Sequence, residues 1–275
     1  MKLIKLPLIA AALAMLATPA LAGATLDRVM ANKKLVMSSD PEYPPQSFLN
    51  DKNEMDGFDV AVGREIAKRM GAELEIITPS WDIITAGNWN GRWDISVGSM
   101  TPTKERAQVL SFPAIYYYVP AAFAVHNDSK IMTMDELNGK TIGVCGGCTY
   151  DNYLDGNLVI DAVGAPAFEY KVKAGTKKTY DTDTSAFDDL RIGDGKRLDA
   201  VMSAMPTIVE AIKNGYPMKI VGDPAFFEPL AVATDKGDAE FDAKIKEIVD
   251  AMHADGTMTA LSEKWYGVDY TTVSK

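Results

Sequence analysis

The sequence predicts an α/β protein of two lobes joined by a two-segment hinge. Three observations carry that prediction. Segments rich in β-branched residues alternate with segments of helical apolar spacing, which implies a parallel sheet flanked by helices. A second α/β set is nested inside the first, so the chain crosses between lobes twice. No repeat, low-complexity tract or long linker interrupts the 275 residues, a length suited to one large or two medium domains. Lobe 1 is predicted over residues 23–119 and 229–275, and lobe 2 over 120–228. Hinged lobes place a ligand cleft between them.

The chain opens MKLIKLPLIAAALAMLATPALA. Lys2 and Lys5 precede an apolar run, Leu6 to Leu16, and Ala20-Leu21-Ala22 is a small-residue cleavage site. Residues 1–22 are therefore predicted to be a secretory signal, and the mature protein to be soluble and outside the cytoplasm. No cysteine directly follows the cleavage site, which argues against a lipid anchor. The signal holds two lysines and no acid, so the remaining chain carries a net charge of about −12. That surface excludes nucleic acid and anionic lipid as expected partners.

Lys34 to Ser39 (KLVMSS) is the first predicted strand, followed by a Pro-rich loop, DPEYPPQSF, and a turn at Gly57. DVAVGREIAKRMG has apolar residues near helical spacing and Gly71 as its stop. ELEIITP is a strand, WDIIT opens a short helix, and DISVGSM is a third strand. YYYVPAAFAV, with its internal proline, reads as the first crossing. In lobe 2, MTMDELNGK is a short helix, KTIGV a strand, CGGCTYDNYL a loop and helix start, and FEYKVK a further strand. TDTSAFDDL is a helix, RLDAVMSA a strand, PTIVEAIKNG a helix with proline in its first turn, and MKIVGD a strand. PLAVATDKG returns to lobe 1, where two helices divide near Gly256.

The stretch Asp94 to Arg106, DISVGSMTPTKER, carries the first functional signal. A strand loosens into Ser99, Thr101 and Thr103, small residues that let a ligand approach backbone N–H groups. Arg106 adds a planar fork suited to a carboxylate, although a helix-capping surface arginine is the alternative. Trp81 and Tyr43 suit a cleft edge or a core, and Asp40 a ligand contact or a turn before Pro41. Asp181, Asp183, Asp188 and Asp189 cluster about a helix start, where solvation and the helix dipole compete with a contact to a cationic ligand. Cys145 and Cys148 form CxxC, open to three readings: a local disulfide, a redox pair, or half a metal site. A disulfide that stiffens the loop is favoured. No metal site and no cofactor are expected.

In order along the chain stand SDPEYPPQSF, GFDV, W-x4-G-x3-G-x-W-D-I, SMTPTKERAQVLSFPAIYY, GKTIGVCGGCTY, AFDDLRIGDGKRLDAV and DGTMTALSEKWYG. Together they resemble the family 3 periplasmic solute-binding proteins of polar-amino-acid ABC transporters, over about Leu35 to Gly267. The resemblance implies the type II periplasmic binding fold, two Rossmann-like lobes closing like a clamshell. It implies that Arg106 pairs with the ligand carboxylate, that Ser99 and Thr101 contact the amine and carboxylate, and that Thr149 donates to the carboxylate at a helix start. Tyr43 and Trp81 match the positions that sandwich the side chain, and Asp40 the acidic position used for cationic side chains. One departure stands out: the aspartate that usually holds the ammonium is replaced by Ala204. Either Asp181 or Asp183 serves instead, or the ligand is a derivatised, opine-like or otherwise unusual amine.

The resemblance implies a monomeric periplasmic protein, without enzymatic activity, that delivers a small amino-acid-like solute to an ABC permease in the inner membrane. Two alternatives stand beside it. One is a cyclohexadienyl-dehydratase-like enzyme on the same scaffold, with Asp183 or Glu169 as general acid. The other is an accessory or sensory binding protein.

Overall fold

The computed structural model describes residues 23–272, so the predicted signal segment lies outside the described residues. The first half of the chain forms α1 (Ala24–Asn32), β1 (Lys34–Ser38), β2 (Glu42–Tyr43), β3 (Ser47–Leu49), β4 (Met55–Asp56), α2 (Phe58–Met70), β5 (Glu73–Ile77), α3 (Trp81–Thr85), β6 (Ile95–Met100) and the long β7 (Leu110–His126). The second half forms β8 (Thr141–Cys145), α4 (Thr149–Asp155), β9 (Thr176–Tyr180), α5 (Asp183–Leu190), β10 (Ala200–Ala204), α6 (Met205–Lys213), the long β11 (Met218–Asp235), α7 (Ala239–Ala254) and α8 (Thr257–Tyr266).

One curled sheet runs β5-β1-β6-β11-β7-β10-β8-β9. Its outer thirds are parallel, as the alternating pattern predicts. Its middle is antiparallel, because one crossing strand leaves lobe 1 and the other returns. MKIVGD and PLAVATDKG, read as separate strands, are both parts of β11, with a register shift between Val221 and Phe226. Residues 121–125 of β7 pair with β10, while residues 231–234 of β11 pair with β6. The two long strands therefore belong to both lobes, and they pair with each other at the crossing, Phe227 opposite Pro120 and Glu228 opposite Val119.

Both faces of the sheet are covered. Phe58, Val62, Ile66 and Met70 recur every four residues along α2, which turns one buried stripe to the sheet. Trp89 and Trp93 pack with Met100, Leu110 and Ala233 on the other face of lobe 1. In lobe 2, Phe187 and Leu190 of α5 and Ile208 of α6 cover Val201 and Ala124.

Three segments differ from the sequence expectation. FEYKVK alternates apolar and charged residues like a strand, yet it lies off the sheet. Its rings pack instead: Phe168 and Tyr170 meet Tyr153, whose hydroxyl accepts from Lys171 N at 2.9 Å. The sheet edge goes to the lysine-bearing β9, whose charges suit an open edge. The Pro-rich loop folds into a small β2-β3-β4 sheet. Helix α1 was not anticipated. It is held from the far end of the chain, since Asp238 accepts from Gly23 N and Thr25 N at 3.0 and 2.7 Å while also capping α7 through Phe241 N.

Gly57 starts α2 at φ 121°, and a Cβ there would meet the Gln46 carbonyl. Gly57→Ala is expected to cost about 2–3 kcal/mol of stability through backbone strain. Denaturant unfolding checks this, and an unchanged midpoint would show that the turn relaxes.

Candidate functional site

All eight residues proposed from sequence as ligand contacts line one cavity between the lobes. Asp40, Tyr43, Trp81, Ser99, Thr101 and Arg106 come from the lobe 1 side, and Thr149 and Asp183 from the other. Strand ends and helix starts converge here, so the wall is built from residues just past β1 and β6 and at the first turns of α3, α4 and α5. Several bonds close the lobes on each other. Gln46 Nε2 donates to Thr207 Oγ1 at 2.9 Å, Lys104 N to the Val159 carbonyl at 3.0 Å, and Asp161 N to the Pro102 carbonyl at 2.9 Å.

Arg106 is 6% exposed, on a single turn of 3-10 helix after β6. Nη1 donates to the Thr101 carbonyl at 3.0 Å and Nη2 to the Gly147 carbonyl across the cleft at 2.9 Å. The guanidinium lies 5.1 Å from the centre of the Trp81 ring, a cation–π contact. Burial lowers its pKa to about 10. The surface-capping alternative is therefore excluded by its position.

The hydroxyls around it are already engaged. Thr101 Oγ1 and Thr149 Oγ1 donate to the same oxygen, Glu228 Oε2, at 2.7 and 2.5 Å. Ser99 takes a left-handed φ of 54°, and its hydroxyl donates to Asp59 Oδ2 at 2.7 Å, with Tyr117 OH 2.5 Å away. Tyr116 OH donates to Asp59 Oδ1 at 2.7 Å. Asp59 is buried behind the cavity wall, and burial pushes its pKa up to about 7. Tyr116 and Tyr117, at the crossing, are thus buried supports of the wall.

Asp183, the first residue of α5, is buried, and its pKa is pushed up to about 7, first by burial and then by the charges of Asp40 and Glu228. Asp40 does two things at once: it lines the cavity and accepts from Glu42 N at 2.8 Å, so the turn role and the cleft position coexist. Burial raises its pKa. Tyr43 OH and Tyr150 OH meet across the cleft at 3.4 Å. Asp181 reaches the cavity while itself exposed. Glu169 is exposed in a separate surface groove beside Phe227, which removes it as a candidate for chemistry in the cleft.

Cys145 and Cys148 are disulfide-bonded and both border the cavity. Both thiols are taken up in the local disulfide that the sequence reading favours. Among the described residues no group of three or more His, Cys, Asp or Glu could hold a metal ion. No helix among them is long and apolar enough to cross a membrane.

Glu228, Asp59 and Tyr150 are site residues that sequence reasoning missed. Glu228 left a signal: it is the single charge in the run PAFFEPLAVA, a strand that otherwise reads as buried. Ala204 is fully buried at the end of β10. It pairs with Ala121, which pairs with Phe226, and Glu228 stands two residues further along the same face. The acidic group on this part of the sheet therefore comes from β11.

Residues 35–268 match the family of bacterial extracellular solute-binding proteins, family 3. The L-cystine-binding protein TcyJ of Escherichia coli K12 is 28% identical over 249 residues, covering 90% of this chain and 87% of that protein. An L-arginine-binding protein of Pseudomonas aeruginosa is 28% identical over 270 residues, covering 94% and 97%. Among solved structures, the ancestral amino acid-binding protein AncCDT-1, a precursor of cyclohexadienyl dehydratase, superposes with a TM-score of 0.75 at 27% identity, covering 88% of this chain and all of that one.

Proposed function

We infer the function from one premise: this chain belongs to the bacterial extracellular solute-binding proteins, family 3. It has the type II periplasmic binding fold and is a solute-binding protein. The solute we propose is an amino acid or close derivative that carries a carboxylate and a cationic group. The observation that carries this is the placement of one buried guanidinium, Arg106, and the carboxyls of Asp40, Asp183 and Glu228 around one cavity. Arg106 takes the solute carboxylate. Trp81 and Tyr43 flank its apolar part, and Asp40 and Asp183 face its cationic end. Ser99, Thr101 and Thr149 frame the backbone atoms. The named ligands of two relatives, L-cystine and L-arginine, both carry these groups.

The lobes open about the paired crossing, with boundaries proposed at 119/120 and 228/229. Residues 1–22 direct export to the periplasm, where the protein acts as a monomer, without turnover or cofactor. The closed form delivers the solute to an ABC permease in the inner membrane.

A thermal-shift screen of amino acids, opines, betaines and polyamines tests this. A ligand at 100 times its Kd adds about 2.7 kcal/mol of stability, which raises the Tm of a chain this size by about 5–10 °C. No shift with any carboxylated amine rules the function out. One observation favours an enzyme as a second possibility: Asp183 is a buried carboxyl in the cavity that titrates near neutrality, at about 7. Product formation from a prephenate-like acid by the purified protein would decide for it.

A further inference from the structure

We propose that Glu228 is the counter-charge for the solute's ammonium group, and that it makes the site selective for an amine lying beside a carboxylate. This rests on the amino-acid function above and assigns a group that the sequence left unassigned.

Glu228 is 2% exposed and lines the cavity from the crossing of β11. Its two oxygens differ. Oε2 accepts both Thr101 and Thr149, one hydroxyl from each lobe, and is saturated as an anchor. Oε1 is buried and, among the described residues, makes no hydrogen bond of good geometry, although the Tyr150 hydroxyl lies near enough to favour the ionised carboxylate. A buried carboxylate oxygen without a donor is costly, so the arrangement is completed by a donor that enters the cavity. Among the described residues the wall brings the carboxyl groups of Asp40, Asp183 and Glu228 against one cationic side chain, Arg106, so a cationic donor that stabilises the ionised carboxyls is the favoured one.

The shared anchor at Thr101 narrows the ligand further. Arg106 Nη1 donates to the Thr101 carbonyl, and the hydroxyl of the same residue holds Glu228. One residue thus fixes both a positive and a negative group. That juxtaposition fits a carboxylate and an ammonium on one carbon. A diamine would leave Arg106 without an anion, and a plain carboxylic acid would leave Oε1 without a donor. Because Oε2 joins the two lobes, the charge that meets the ammonium also holds the closed form together.

The test is calorimetry on the mature protein and Glu228→Gln, with two matched sets of probes. One is L-arginine, 5-guanidinopentanoate (no α-amine) and agmatine (no carboxylate). The other is L-cystine, 3,3′-dithiodipropionate and cystamine. Wild type is expected to prefer the amino acid over its amine-free analogue by about 10- to 100-fold. Glu228→Gln is expected to bring that ratio close to one while still rejecting the carboxylate-free analogue. The ratio is read within one preparation, so partial misfolding of the variant does not alter it. A ratio kept intact in Glu228→Gln overturns the role of Glu228 and leaves the amino-acid function standing. If wild type binds only the carboxylate-free amines, and does so through Glu228, the carboxylate part of the function falls and Glu228 stands. If none of the six binds to wild type, the same ratio is read on the best ligand of the thermal screen and its amine-free analogue, and both fall where that screen finds no carboxylated amine.

Discussion

Arg106→Ala is expected to abolish binding of a carboxylated solute, a loss of about 10³-fold or more because the partner charge is buried. Three features set the size of this effect. Among the described residues the guanidinium is the one cationic side chain on a wall that also carries the carboxyl groups of Asp40, Asp183 and Glu228, so its removal leaves nothing there to balance a second carboxylate. Its Nη2 donates to the Gly147 carbonyl across the cleft, so closure also loses a lobe-to-lobe bond. Its stacking on Trp81 orients the ring that flanks the solute. Arg106→Lys restores the charge but not the fork, which cannot reach the Thr101 and Gly147 carbonyls together. It is expected to recover a minor part of the affinity. Calorimetry with the best ligand of the thermal screen, on variants checked by circular dichroism, measures both. Affinity that survives Arg106→Ala would remove Arg106 from the site.

Ligand-free stability is expected to fall as pH rises from 5 to 8. Asp59 and Asp183 ordinarily titrate at 3.8 and are pushed up to about 7 by burial. Between those values the native state holds protons that the unfolded chain has released, so the unfolding free energy drops with rising pH. A shift of this size corresponds to an upper bound on the order of 4 kcal/mol per group. The acids whose pKa is lowered, such as Asp238 and Asp255, act in the opposite sense, but their contribution is nearly complete by pH 5 and does not mask the decline. Asp59→Asn keeps the bonds to Ser99 and Tyr116 within reach and removes the titration. Urea unfolding across this range should show a shallower slope for the variant. A wild-type stability that is flat or rising from pH 5 to 8 contradicts protonated carboxyls behind the wall.

The lobe 1 half of the site was legible because its residues lie close together in sequence. Ser99, Thr101 and Arg106 sit within eight positions, at the end of one strand, and local chemistry is enough to group them. Thr149, Asp40, Tyr43 and Trp81 were legible through the ordered motifs, and Asp183 as a stand-in for the acid missing at Ala204. Glu228 was not, because it meets Thr101 and Thr149 only through the pairing of β11 with β7 and the closure of the lobes. Register between strands a hundred residues apart leaves no local trace. Asp59 was lost for a related reason: in GFDV it reads as a helix-start acid, and its burial depends on Tyr116 arriving from β7. FEYKVK failed on periodicity, since a two-residue alternation suits an aromatic cover as well as a strand.

The two long strands also dictate the order in which the molecule can be assembled. Strand β6 lacks a neighbour on one side until Ala231 to Thr234 have arrived, and α1 lacks its tether until Asp238 has arrived. A chain delivered amino end first therefore cannot complete its first lobe until nearly all of it has emerged. The inserted lobe, from β8 to α6, is contiguous and has its partners to hand earlier. If residues 1–22 direct export as proposed and the chain crosses unfolded, the segment that leaves first is the one that waits longest, with its apolar strands exposed to whatever attends the exit.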